Sequence, residues 1–353
     1  MNASPPRSLA PPDPAADRLR AALDQLAPHA APADKLAALI AARLDQLPLP
    51  GAGAGATLDR FRALCAVARH DLVLGRLFEA HADALAILAE LAPDCAPPDG
   101  AVGVWAAEPP DARVLMTPHT ADGRVRLDGR KAWCSGAGVL TQALVTVWGA
   151  AGDGPHLAWV DLRAPGVAID ESVWRAVGMR GSASYDVRFD AVPARIVGRD
   201  GIYLTRPGFW HGGAGVAACW LGGALALGDA LRAAVARRPD DALALCALGR
   251  VDAALAAAIA LLRATADAID GRGDDAAIAP ITLALRLRGF IERSASFVLD
   301  EAAQILGPVP FCREARFARL AADLPIYLRQ WHGPRDFAAL GRLAADRSCA
   351  WAP

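Results

Sequence analysis

Apolar side chains recur at spacings of three and four between residues 17 and 91, the period of helices buried along one face. Leu19, Leu23 and Leu26 form one row, Leu36, Ile40, Leu44 and Leu47 a second, and Phe61, Leu64 and Ala68 a third. Pro48 to Gly55 (PLPGAGAG) is too rich in Pro and Gly to continue a helix and reads as a loop. The run CAPPDG after Leu91 ends this lobe. From Val102 to Val197 the pattern becomes short runs of Val, Trp, Tyr and Phe separated by Gly, Pro and Asp. In RVRLDG, Val125 and Leu127 alternate onto one face, and Asp122-Gly123 and Asp128-Gly129 carry turn chemistry, so this region predicts an antiparallel sheet. After Pro207 the helical period returns. It predicts helices over 209–237, 240–270, 276–306 and 312–330, broken at Arg238-Pro239, Gly271-Arg272-Gly273 and Gly307-Pro308.

Helices, then strands, then long antiparallel helices, predict an α+β, mainly α chain. The boundaries are a helical domain at 17–97, a middle β-domain (barrel or sandwich) at 98–203 and a four-helix bundle at 204–353. Before them, residues 1–16 are Pro-rich, with Arg7 the one basic residue and no apolar core segment, and are expected to be a disordered leader, not a signal peptide.

The formal net charge of −1 gives no reason to expect a nucleic-acid or anionic-membrane partner. The longest apolar stretch, Gly212 to Gly228, is rich in Gly and Ala and reads as a buried helix, not a membrane span. The seven cysteines are odd in number and scattered, without a CxxC pair, which argues against a disulfide framework or zinc site and fits a cytoplasmic protein. Asp240-Asp241 and Asp274-Asp275 stand at helix starts, where they complement the dipole; no metal site is expected.

Four segments, in order, resemble motifs of the acyl-CoA dehydrogenase superfamily: WAAEP (Trp105 to Pro109), LDGRKAWCSGAG (Leu127 to Gly138), GMRGSASYDVRFDAVPA (Gly178 to Ala194) and AQILGP (Ala303 to Pro308). The resemblance implies that family's three-domain fold, FAD as cofactor and a role in fatty acid metabolism. It implies FAD contacts at Trp105, Ala107, Trp133 and Ser135, with Trp133 walling the isoalloxazine and Ser135 bonding near N5. Gln304 and Gly307 would meet the dinucleotide of a neighbouring subunit, so a homodimer or homotetramer is expected. The residues themselves fit: a large rigid ring beside a small hydroxyl suits a flat apolar ring system.

The departures bear on mechanism. Dehydrogenation of an acyl thioester removes an α-proton while hydride leaves for flavin N5; the proton needs a base of suitable pKa within hydrogen-bond reach, and the resemblance implies a Glu for it. By the resemblance, one base position falls at Trp331, flanked by Gln330 and His332, with Asp323 matching the family's aspartate two turns earlier. The other falls at Gly212 or Gly213. Neither holds a carboxylate. His211 and His332 stand beside the two gaps, and a neutral imidazole can take or relay a proton near neutral pH; Trp210, Gln330 and Trp331 would line the substrate pocket. The Gly-Ser-Asp expected after WAAEP is replaced by Pro110-Asp111-Ala112-Arg113, and the arginine segment that holds the FAD pyrophosphate has no clear match between Ala236 and Ala253. Arg237, Arg238 and Arg250 read as solvated helix residues, and Arg335-Asp336 as an exposed ion pair.

Three functions are compatible with these residues. The first is an FAD-dependent oxidoreductase acting on an acyl thioester or related small acyl substrate, handing electrons to an acceptor the sequence does not identify. The second is a flavin-dependent monooxygenase of the same fold, which needs no Glu base. The third is a catalytically degenerate subunit or binding protein.

Overall fold

The computed structural model describes residues 14–27, 29–51, 55–118, 123–149 and 154–346. Residues 1–13 of the expected leader lie outside this set, and residues 14–16 already belong to the first helix. Four helices form the N-terminal lobe: α1 (Pro14–Gln25), α2 (Pro32–Ala41), α3 (Thr57–His70) and α4 (Leu72–Leu91). The chain reverses between α3 and α4 within one residue because Asp71 caps α4, accepting from Val73 N at 2.9 Å and Leu74 N at 3.0 Å.

The middle domain is a seven-stranded sheet. Its strands are β1 (Val102–Trp105), β2 (Val114–Pro118), β3 (Arg124–Cys134), β4 (Gln142–Val147), β5 (His156–Asp161), β6 (Val167–Asp170) and β7 (Tyr185–Val197). The order is β1-β4-β5-β7-β3-β2, with β6 on β7. The sheet is mixed where alternation predicted it antiparallel: β1 and β4 pair in parallel, from Val102–Gln142 to Trp105–Val145. The connection from β1 to β4 passes through β2 and β3, so it is a crossover and not a hairpin, and alternation along a strand carries no direction. A parallel bridge between Leu115 and Trp148 curls the β2 edge towards the end of β4.

The C-terminal lobe contains α5 (Ile202–Thr205), α6 (Pro207–Ala236), α7 (Ala242–Ile269), α8 (Pro280–Leu306), α9 (Pro308–Arg313), α10 (Ala315–Tyr327) and α11 (Pro334–Ala345). The expected helix over 312–330 is two: Glu314 is extended, and the break there separates α9 from α10. The expected ion pair Arg335-Asp336 is instead the start of α11, where Asp336 accepts from the backbone N of His332 at 3.0 Å.

The stretch Gly212 to Gly228 lies in α6, the core helix, 83 % of whose most apolar window is buried. Its glycines let neighbouring backbone approach. A Cβ on Gly222 would run into the carbonyl oxygen of Cys65 and come within 2.9 Å of Arg69 N, so α3 crosses α6 there at a distance only glycine permits. Nearly three turns towards the N-terminus the same device serves a different purpose.

Candidate functional site

Strand β3 ends in a bulge. Its register against β7 shifts between Lys131 and Cys134, and Trp133 takes a φ of 62°, left-handed and costly for a non-glycine residue. The bulge turns the indole outwards: Trp133 is 60 % exposed, while its neighbours Ala132 and Cys134 are buried. A strand residue serving only the core has no reason to bear strain and face solvent. Trp174 stands edge-on to it, ring centroids 6.2 Å apart, and donates Nε1 to the carbonyl of Arg180 at 3.2 Å. The two indoles form an apolar shelf at the rim of the sheet.

Ser135 is buried beside this shelf and heads a row of hydroxyls: Ser135 Oγ lies 2.8 Å from Ser184 Oγ, which lies 2.9 Å from Ser182 Oγ. Trp105 is a buried core residue whose Nε1 donates to the carbonyl of Ser135 at 3.0 Å, so its indole braces the strand end. Ala107 is exposed just after β1. The segment carrying Ser182 and Ser184 is pinned to α10, because the carboxylate of Asp323 accepts from Met179 N. Burial pushes the Asp323 carboxyl upwards, while that backbone hydrogen bond opposes the shift.

Among the helices, Arg288 on α8 ties two segments together. Its Nη1 donates to the carbonyl of Gly213 at 2.9 Å and its Nη2 to that of Gln330 at 2.7 Å, with the guanidinium 4.7 Å over the Trp220 ring. One side chain thus ties together the two segments in which a base was expected. Burial lowers the Arg288 pKa to about 10, which still leaves it charged at neutral pH. Trp331 is buried against Phe337, ring centroids 5.0 Å apart, and its Nε1 has no hydrogen-bond partner. Tyr327 packs edge-on to Trp220.

The histidines divide. His211 is buried on α6, and desolvation lowers its pKa, so its imidazole is neutral near pH 7. The His332 side chain is 65 % exposed, with Nδ1 3.6 Å from an Asp336 oxygen. Trp210 is half-buried against Phe209. Gln304 is exposed, about 24 Å along α8 from Arg288 at 1.5 Å per residue, and Gly307 caps the helix beyond it. Those two residues stand at the far end of α8 from Arg288.

Sequence reasoning missed the charged side chains between α4 and α6. Arg76, Glu79 and Asp83 on α4, Arg60 on α3 and Arg206 before α6 converge there. Arg76 pairs with Glu79 at 2.8 Å, and Arg206 with Glu90 at 2.5 Å. Arg76 Nε and Arg206 Nε and Nη2 are buried without a partner. On the same helix, Leu77 lies against Gly136, just past the shelf strand. The signal was legible: residues 76, 79, 83 and 90 are charged at helical spacing in a helix that, His81 apart, is otherwise apolar.

No family model matches the chain, and no curated protein matches it in sequence. Solved structures do match in fold. KijD3, in complex with FMN and dTDP-3-amino-2,3,6-trideoxy-4-keto-3-methyl-D-glucose, is 24 % identical with a TM-score of 0.74, over 97 % of each chain. Dibenzothiophene monooxygenase (TdsC) from Paenibacillus sp. A11-2 is 18 % identical with a TM-score of 0.73, over 94 % of this chain and 95 % of that one. A steroid ACAD variant is 21 % identical with a TM-score of 0.68, over 94 % and 93 %. The chain has the acyl-CoA dehydrogenase fold. At these identities the likeness fixes the architecture, and chemistry has to be argued from the site.

Proposed function

We propose that the chain is a flavin-dependent monooxygenase acting on a small, polar, nitrogen-bearing molecule. The observation that carries this reading is the set of charged side chains that meet between α4 and α6. An acyl chain calls for an apolar slot, and here the facing side chains are Arg60, Arg76, Glu79, Asp83 and Arg206, some with unpaired donors. The segments expected to supply a dehydrogenase base carry none.

A flavin fits the residues present. The Trp133 indole offers an exposed rigid face, and Ser135 and Ser184 offer hydroxyls beside it. FMN suits the chain better than FAD: no arginine segment for a dinucleotide pyrophosphate stands between Ala236 and Ala253, and the flavin in the KijD3 complex is FMN. When bound in reduced form the flavin supplies the two electrons for oxygen activation; a separate reductase is the implied partner. The protein's own tasks are to hold the ring on the Trp133 shelf, exclude water and orient the substrate. The amino sugar in the KijD3 complex and the activity named for TdsC support a polar substrate and an oxygenase.

We further propose a homodimer or homotetramer. Helix α7 is apolar yet only 22 % of its most apolar window is buried, with Leu243 at 77 % exposure, a face suited to a second copy. Light scattering after gel filtration tests this, and a monomer at micromolar concentration overturns it.

The functional test is a flavin titration followed by oxygen uptake with chemically reduced FMN and candidate amines. Substrate-dependent uptake is expected, with no anaerobic bleaching of bound flavin by acyl-CoAs. Bleaching by an acyl-CoA would restore the dehydrogenase, and failure to bind any flavin would favour a binding protein.

A further inference from the structure

Arg76, Glu79, Asp83 and Glu90 fall at spacings of three, four and seven along α4, so one helix face carries them all. Arg76 takes Glu79 and Arg206 takes Glu90. Asp83 is left over: among the described residues no hydrogen bond or ion pair reaches its carboxylate. It is neither sealed off nor free on the surface, being half-buried in the crevice against α6.

The residue facing it is Gly212. A Cβ there would lie 2.6 Å from Asp83 Oδ1 and 3.2 Å from Oδ2, so the carboxylate occupies the space a side chain at 212 would take. One residue on, the carbonyl of Gly213 is bonded to Arg288, which also holds Gln330. The carboxylate absent from α6 in the sequence is therefore present in space, delivered from α4.

We infer that Asp83 is the proton acceptor of this site and that it takes its proton from an amine held in the crevice. The amine half of the inference rests on the oxygenase reading; the acceptor half does not. In the step, an ammonium N–H bond breaks, its electron pair stays on nitrogen, and an O–H bond forms on Asp83. Ammonium and carboxylate become two neutral groups, so no net charge is created in a desolvated crevice. The neutral amine then has the lone pair that oxygen transfer requires. Amine, O2 and two-electron-reduced flavin give hydroxylamine, water and oxidised flavin, which balances.

The groups facing Asp83 are Arg60 from α3, Arg76, Glu79 and Glu90 from α4, Tyr203 from α5 and Arg206 ahead of α6. With Asp83 the carboxylates and guanidiniums cancel formally. Burial pushes the Asp83 pKa upwards, against the pull of Arg206, Arg60 and Arg76, which moves it towards the range of a working base.

The experiment compares wild type with Asp83→Asn in oxygen uptake driven by reduced FMN and glucosamine, cyclohexylamine or benzylamine, as a function of pH. For wild type, kcat/KM is expected to rise with pH through a pKa above the ordinary carboxylate range. Asp83→Asn is expected to lose at least a hundredfold and the acidic limb with it, FMN affinity serving as the check on folding. Retention of rate and limb would overturn the inference. In parallel, protein labelled with carboxyl-13C aspartate gives the Asp83 signal, assigned by its absence in the variant. An ordinary carboxylate titration unmoved by all three amines overturns the inference even if none is oxidised. Anaerobic bleaching by an acyl-CoA that disappears in Asp83→Asn would overturn the oxygenase and the amine together while upholding Asp83 as acceptor.

Discussion

Two buried charged sites in this chain differ in how completely they are satisfied. In the β-domain the side chain of Lys131 is fully enclosed, and its Nζ donates to Glu108 Oε1 at 2.5 Å, Thr146 Oγ1 at 2.6 Å and the carbonyl of Thr146 at 3.1 Å. Three donors meet three acceptors, and Glu108 also takes the Trp148 indole at 2.9 Å. In the crevice between α4 and α6, by contrast, Asp83 has no donor and Arg76 and Arg206 keep buried nitrogens unpaired. A satisfied buried charge specifies structure, and nothing further can bind to it. An unsatisfied set carries a standing desolvation cost, which makes sense where a ligand completes it.

The sharpest way to break this contrast is at its two poles. Lys131→Met leaves Glu108 and Thr146 without their cation, and truncating one partner of a buried pair costs about 3–5 kcal/mol. Denaturant unfolding should report that loss. Asp83→Asn removes a charge with no direct hydrogen bond or ion pair, so its stability should stay within about 1 kcal/mol of wild type. Equal losses from the two substitutions would mean that Asp83 is a structural charge after all.

Flavin binding separates the sites from the other side. Trp133→Ala should weaken FMN by about 1–3 kcal/mol, roughly tenfold to a hundredfold in Kd, since apolar burial and ring stacking lie in that range. The exposed indole contributes little to the folded core, so the unfolding midpoint should hardly move. Unchanged flavin content would remove the shelf from the site.

Gly212→Ala sharpens the comparison within α6 itself. The added methyl meets the Asp83 carboxylate, the movable end of a side chain, whereas at Gly222 it would meet the fixed carbonyl of Cys65. Gly222→Ala should therefore cost more stability, about 1–3 kcal/mol from overpacking, and Gly212→Ala should chiefly cost turnover.

Much of this architecture was legible from period alone. The bounds of α6, α7 and α8 fall within four residues of those expected, because long buried helices repeat their apolar rows many times. The parallel pairing of β1 with β4 was not, since alternation is blind to strand direction. In the site, AWCS marked Trp133 and Ser135, but strain and exposure at Trp133 come from a bulge that only pairing with β7 creates. The absence of a carboxylate at 212 was visible along the chain. Its replacement from Asp83, 129 positions earlier in the numbering, is a contact between two helices, and no local pattern encodes that.

The smallest expected effect is at His211, a buried titratable group of a third kind. Desolvation lowers its pKa, with Glu90 raising it and Arg206 lowering it through space. The unfolded chain binds a proton to this imidazole near its ordinary value of about 6.5 while the folded one does not. The stability this group contributes is thus present above pH 6.5 and lost as pH falls towards the lower folded pKa, at a slope of at most about 1.4 kcal/mol per pH unit. His211→Gln should flatten the unfolding free energy across that acid window and leave it nearly unchanged at pH 8. Asp83 runs the other way: its raised pKa means that the folded state holds the proton more tightly than the unfolded one, so its contribution is lost as pH rises. Opposite pH slopes in His211→Gln and Asp83→Asn would therefore show two neighbouring buried groups, one kept neutral by losing its proton and one poised to gain one.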